Sequence, residues 1–431
     1  MRTHLVLSAA FVAASLGAAV PLKNNGSGHF SLIAKARPRG SRDFLRDWKA
    51  AHRRWGKKHL LPASKATLDG GWFSPALQHR WCVSMAKLVV EASVTAEPLL
   101  RDQAYVMDVE FGTPAQKLKM MFDTGSSDLW VKSTDTIYST HKEGPRPPQY
   151  APGNSSTSTL VDKAKWSIQY LDNSAASGIV YRDTLRLGDF EIRNVPVESA
   201  LTMSPELEEE TSVSGIMGLA KQLPNNISPP TASFLSLLRS QLKAPVFTVD
   251  LRRNATSRFD FGYINESMAT ENITWLDSNP LSDHWEVELD RTAWLGKSFT
   301  WVYHKFQATV DTGTSLLFLP EPLARRYWAA VPSAKKDELF DAYAFSCKYS
   351  EKLPDLLFKL PKSEHLIRIP GRYLNYGPLE SEPSICWGGM QSDLDLSATI
   401  LGDVMLKALF VAFDVDKNRV GFANKVLHDV L

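Results

Sequence analysis

The sequence predicts an all-β protein built from two similar β-rich lobes, and three observations carry that reading. One acid-bearing turn occurs twice, as Phe122-Asp123-Thr124-Gly125-Ser126-Ser127 and as Val310-Asp311-Thr312-Gly313-Thr314-Ser315. Each copy follows a hydrophobic run, so each reads as a strand end that turns sharply at a glycine. Short strand-like segments bounded by turn residues recur from residue 105 to residue 423. Helical periodicity is confined to a few short stretches. One such turn alone is most simply an Asp bonding its own backbone; a second independent copy argues against accident.

At 431 residues, 44% of them hydrophobic and 22% charged, the chain is long enough for two or three domains with real cores. Residues 1–20 have the build of a secretory signal peptide: Arg2 and His4, an apolar run over 5–16, then Gly17-Ala18-Ala19. No later stretch is long and apolar enough for a transmembrane span, so a soluble, secreted product with no membrane partner is expected. The vacuole is a less favoured destination.

A net charge of +2 hides a division. Residues 1–95 carry 15 Lys/Arg against 4 Asp/Glu, while the rest of the chain is acidic. A basic run of this kind competes as a nucleic-acid arm. Behind a signal peptide and ahead of an acidic body, the better account is a pro-segment over residues 21–95, docked on its own body by Coulomb attraction. No nucleic-acid partner is expected.

Cys347 and Cys386 lie in one domain of an exported chain and are expected to pair, leaving Cys82 single. Three cysteines without clustered histidines argue against zinc, and no calcium-loop spacing occurs, so neither metal nor cofactor is expected. Acceptor sequons stand at Asn25, Asn154, Asn226, Asn254, Asn265 and Asn272, and glycosylation is expected at several.

Taken in order, residues 44–55 read as a short amphipathic helix with Arg and Lys on its outer face. Residues 105–111 alternate with period two, Gly112-Thr113-Pro114 turns, and 116–122 runs back as a strand. Further strands are expected over 128–132, 165–170, 177–187, 191–199, 246–251 and 258–264, with a helix over 231–238 capped near Thr231. The second half repeats the plan. Strands are expected over 285–289, before Asp311, near Ile367 and Ile385, and over 410–414 and 420–423, with helices at 321–331 and 404–407. The lobes are placed at 96–275 and 276–431.

Two carboxylates within hydrogen-bonding distance cannot both ionise cheaply, so they share a proton and supply a base and an acid together. That pair suits the addition of water to an amide without metal or covalent intermediate. Ser126 and Thr314, each just after its turn glycine, are placed to donate to the outer carboxylate oxygens. Glycoside hydrolysis uses the same groups, but does not set them in symmetric glycine turns.

Over residues 100–425 the chain resembles the pepsin-family aspartic endopeptidases, most closely the fungal penicillopepsin and aspergillopepsin type. The matching stretches are 122–130, the flap-like 167–170 through Ser177-Gly178, 215–219, 310–316, 386–391, 400–413 and 419–423. That resemblance implies a bilobal fold with a central cleft, Asp123 and Asp311 as catalytic dyad, and Gly125 and Gly313 as peptide-contacting residues. It also implies that Tyr170 tips a hairpin closing over substrate and hydrogen-bonds Trp130. Asp172 and Ser174 lie in the same hairpin tip, where an Asp in similar enzymes admits a substrate Lys beside the usual large hydrophobic residues. The pair Cys347–Cys386 matches the family's C-terminal-lobe disulfide. Arg54-Trp55-Gly56-Lys57 looks like the pro-segment motif whose basic residue pairs with the active-site acids, with Arg54, Lys57 and Lys58 all candidates.

Departures from the family pattern are Leu171 in place of a flap glycine, and Ser214 in place of an Asp. The expected function is therefore a monomeric, acid-active endopeptidase of proteins and peptides, cutting between large hydrophobic residues and blocked by statine-type inhibitors. The rival is a catalytically idle, peptide-binding relative whose cleft lost turnover through Leu171.

Overall fold

The structure, a computed structural model, describes residues 44–56, 92–99, 104–139, 145–169, 175–221, 224–295, 299, 301–337, 341–379 and 382–427. The signal-peptide stretch, Cys82, Asn25, Lys57, Lys58 and the hairpin tip Tyr170 to Ser174 lie outside these residues. Strands dominate, in sheets of fourteen, seven and four. Helix α1 (Phe44–Trp55) is followed by β1 (Ala92–Leu99), β2 (Ala104–Phe111), β3 (Gln116–Asp123), β4 (Leu129–Lys132), β5 (Thr159–Gln169), β6 (Ala175–Leu187), β7 (Phe190–Met203) and β8 (Gly215–Gly218).

The two halves repeat one local topology. Strand β3 pairs parallel with β8, placing Asp123 opposite Gly218, and β8 returns antiparallel to β4. In the second half, Val302–Val310 pairs parallel with Thr399–Leu401, which lies antiparallel to Leu317–Leu319. Each acid-bearing strand thus ends beside a strand that closes on a glycine. At Gly402 an added Cβ would run into the Thr314 and Leu316 carbonyls, and at Gly218 it would meet the Ser126 and Ser127 backbone, so only glycine fits.

Residues far apart in sequence tie the halves together. Leu409–Asp414 and Arg419–Asn424 join the fourteen-stranded sheet through Val246–Asp250 and Thr274–Asp277 of the first half. Trp285, fully buried, donates from Nε1 to the Leu219 carbonyl at 2.9 Å, while its own carbonyl accepts from Val310 N at 2.9 Å. Phe247 and Phe413 stack beside it at 4.5 Å. Cys347 and Cys386 are joined in a disulfide, with Cα atoms 5.0 Å apart, tying Cys347–Lys352 to Ile385–Gly388.

One expectation needs correction. The helix expected over 231–238 runs Phe234–Arg239, and its cap is Ser233, whose hydroxyl accepts from Ser236 N. Asn225 already takes the Thr231 hydroxyl, donating to it at 3.0 Å, so Thr231 is engaged elsewhere. The composition change near residue 95 falls inside β1, which pairs with Ser257–Phe261 over Ala92 to Ala96 and with β2 over Glu97 to Leu99. Of the sequons, Asn154, Asn226, Asn254 and Asn272 are exposed. Asn265 is half-buried, and its side chain accepts from Ser267 N.

Candidate active site

Strand β3 delivers Asp123, and Val302–Val310 delivers Asp311, to one point between the lobes. Their surroundings match group for group. Gly125 N donates to Asp123 Oδ1 and Gly313 N to Asp311 Oδ1, both at 2.9 Å. The Ser126 hydroxyl donates to Asp123 Oδ2, and the Thr314 hydroxyl to Asp311 Oδ2 at 2.5 Å. Each carboxylate therefore has both oxygens held by its own turn, and both are buried.

The threonines between acid and glycine lock the turns together. Thr124 Oγ1 donates to the Val310 carbonyl at 2.8 Å and accepts from Thr312 N at 3.0 Å. Thr312 Oγ1 donates to the Phe122 carbonyl at 2.8 Å and accepts from Thr124 N at 3.1 Å. Sequence reasoning missed this lattice. The signal was present, since the same hydroxyl residue stands in the same place in both copies. Thr124→Val removes one hydroxyl and strands a buried carbonyl and a buried N–H, at a cost of about 2–4 kcal/mol. Thermal unfolding of T124V and T312V is expected to show similar losses of several degrees, and an unchanged midpoint would contradict the role given to this lattice.

Glycine is required where the lobes meet. A Cβ at Gly125 would stand 2.6 Å from Asp311 Oδ1 and 2.8 Å from Arg54 Nη2. Trp130 is buried against Trp166 at 6.2 Å, and its Nε1 has no hydrogen-bond partner among the described residues. Asp128, which follows the first turn, accepts from Asn226 N and Nδ2, both at 2.7 Å. Burial pushes up both its carboxyl and that of the neighbouring Glu198, a buried acid pair behind the turn.

Helix α1 closes the site. Phe44, Trp48, Ala51 and Trp55 form a helical stripe, and all four are buried. Phe44 stacks on Trp387 at 4.3 Å, and Trp48 packs on Phe318 at 5.7 Å. At the helix end, Arg54 Nη2 donates to both oxygens of Asp123 at 2.5 Å, and its Nη1 lies 3.8 Å from Asp311 Oδ2. Trp55 Nε1 lies 3.2 Å from Asp311 Oδ2 and 3.3 Å from the Thr314 hydroxyl oxygen. Ser397 N donates to the Trp55 carbonyl, and Gly56 bridges to Leu396.

The basic residues of 44–55 are thus not all on the outer face. Lys49 is exposed, but Arg54 points into the dyad. The contact also has a large apolar share. A fully buried large apolar side chain contributes about 1.5–3 kcal/mol, more than an exposed ion pair, and the stripe has three of them. Burial pushes the Asp123 carboxyl up from its ordinary value, against the pull of Arg54 and with a smaller push from Asp311.

Residues 104–425 match the sequence profile of the eukaryotic aspartyl proteases. The chain belongs to that family. It is 36% identical to endothiapepsin of Cryphonectria parasitica, over 82% of this chain and 83% of that one. Aspergillopepsin-1 of Aspergillus pseudoglaucus is 34% identical over 78% of this chain and 83% of its own. Penicillopepsin-2 of Penicillium janthinellum is 31% identical over 95% of this chain and 96% of its own, a match that takes in part of the N-terminal region. As a member of the family the chain is an aspartic-type endopeptidase, and proteins and peptides are its substrates.

Proposed function

We propose that this endopeptidase is secreted, works in acid, is monomeric, and is made as a zymogen whose own α1 blocks the dyad of Asp123 and Asp311. The observation that carries the dyad assignment is the matched environment of the two carboxyls, each held by its glycine N–H and its neighbouring hydroxyl. In the open enzyme the ionised partner takes a proton from water while the protonated partner donates to the peptide carbonyl oxygen. The oxygen of that water bonds to the carbonyl carbon. The resulting diol collapses as a proton passes to the departing nitrogen, and the C–N bond breaks. Gly125 and Gly313 hold one oxygen of each carboxyl, and Ser126 and Thr314 the other, through both steps.

Residues 1–20 supply the export signal, and the stretch from 21 to the start of β1 is the removable segment. Cutting within β1 would tear out part of its ladder with Ser257–Phe261, so processing before Ala92 fits the fold better than processing at 95. By the family resemblance Tyr170, Asp172 and Ser174 belong to the element that closes over substrate, with Trp130 as the hydrogen-bond partner of Tyr170, and large hydrophobic residues are favoured beside the scissile bond. Lys acceptance depends on Asp172. Asn154, Asn226, Asn254, Asn265 and Asn272 are the proposed glycosylation sites.

Digestion of a denatured protein at about pH 3, with and without a statine-type inhibitor, tests the reading. Cleavage that the inhibitor abolishes is expected. Processed protein that binds the inhibitor but cuts nothing would favour the idle, peptide-binding alternative.

A further inference from the structure

The Arg54-Trp55 plug is met on its far side by a histidine that the dyad does not use. His284 precedes the buried Trp285, and its ring packs edge-on against Trp55 with centroids 4.9 Å apart. Its Nδ1 is buried and has no hydrogen-bond partner among the described residues. Arg54, whose guanidinium carbon lies 5.7 Å from the centre of the Trp55 ring, brings a fixed positive charge to the same place. An imidazole packed against an indole and beside a guanidinium is tolerable while neutral and costly once charged.

We propose that His284 is a proton sensor that loosens the docked Arg54-Trp55 plug when it takes up a proton. This rests on the zymogen reading and adds to it the group that sets the upper edge of activation.

Every charged group that faces this ring bears on the argument. From α1 comes Arg54, which opposes protonation; Asp123 at the end of β3, Asp283 next door and Glu286 favour it. Lys221, whose Nζ donates to the Asn279 carbonyl at 2.6 Å, also interacts with Asp283 and Glu286 and competes for those carboxylates. His52 of α1 belongs to a separate contact. It is packed on Trp48 and Phe318, bonds the Trp48 carbonyl, and faces Asp395.

Burial first, and Arg54 second, push the His284 imidazole down from its ordinary value in the docked state. Undocking takes Trp55 and Arg54 away and restores it toward its ordinary value. The sign follows. The contribution of neutral His284 to docking is whole above the undocked value and is lost as pH falls through the lowered one. The plug is then held by its apolar stripe and by the contacts of Arg54 and Trp55 with the dyad.

The test uses the full chain and follows release of the N-terminal segment by gel electrophoresis from acid to neutral pH. His284→Phe keeps the edge-on ring packing without a titrating group, and His284→Gln keeps polarity if the Phe variant folds poorly. Both variants are expected to shift the midpoint of activation to lower pH, with release near pH 5 at least about threefold slower than in the parent chain. A profile unmoved along the pH axis, or a uniform slowing at every pH, would overturn the sensor role. If the parent chain, still unprocessed, cleaves a short peptide with no lag, autoinhibition itself fails and the sensor with it. A lag in the parent combined with unshifted variants removes only His284.

Discussion

Asp311→Asn is expected to lower the rate of peptide hydrolysis by at least about a thousandfold, the scale of an acid and a base lost together. Asparagine has the same shape as aspartate. Its carbonyl still accepts from Gly313 N, and the Thr314 hydroxyl can turn to accept from its amide. Circular dichroism and the unfolding midpoint should therefore stay close to those of the parent chain. What is lost is the ability to share one proton with Asp123, since an amide neither ionises nor donates an acidic proton. Activity above about one-tenth of the parent in a correctly folded D311N would remove Asp311 from the chemistry.

Arg54→Ala is expected to have the second largest effect, on inhibition rather than catalysis. Arg54 is 14% exposed, and its partners Asp123 and Asp311 are 1% and 0% exposed. Truncating it would leave two buried carboxylates facing one another under α1 with no cation between them. Breaking a buried pair in this way costs about 3–5 kcal/mol, which raises the undocked fraction by roughly a hundredfold or more. Peptide cleavage by the unprocessed chain near pH 5, measured before any processed band appears, should rise accordingly. Arg54→Lys should fall between, because an ammonium cannot reach both carboxylates with a planar fork. If R54A stays as silent as the parent, the stripe of Phe44, Trp48 and Trp55 would suffice to close the cleft, and Arg54 would be an ornament of it.

Much of the site was legible because the chemistry sits in contiguous residues. Asp-Thr-Gly followed by a hydroxyl residue specifies its own local bonds, since the glycine N–H and the hydroxyl reach back only two and three positions. The helix over 44–55 was equally legible, because a stripe at helical spacing depends only on order along the chain. Strand β1 was not, since its partner lies in residues 257–261 and Pro98 interrupts its pattern. His284 gave no signal at all: a single histidine before a tryptophan has no motif until Trp55 is laid against it.

The sequence alone therefore determined the two acid turns, the β-rich class, the family and the N-terminal helix. All of these are set by local backbone preference or by short-range bonding. Only the tertiary structure decided that Thr124 and Thr312 interlock, that Arg54, among the described residues, reaches both acids, and that the His284 ring lies against Trp55. Those facts join residues more than sixty positions apart, and nothing in the order of the chain encodes which of several like side chains will be carried inward when the apolar stripe is buried.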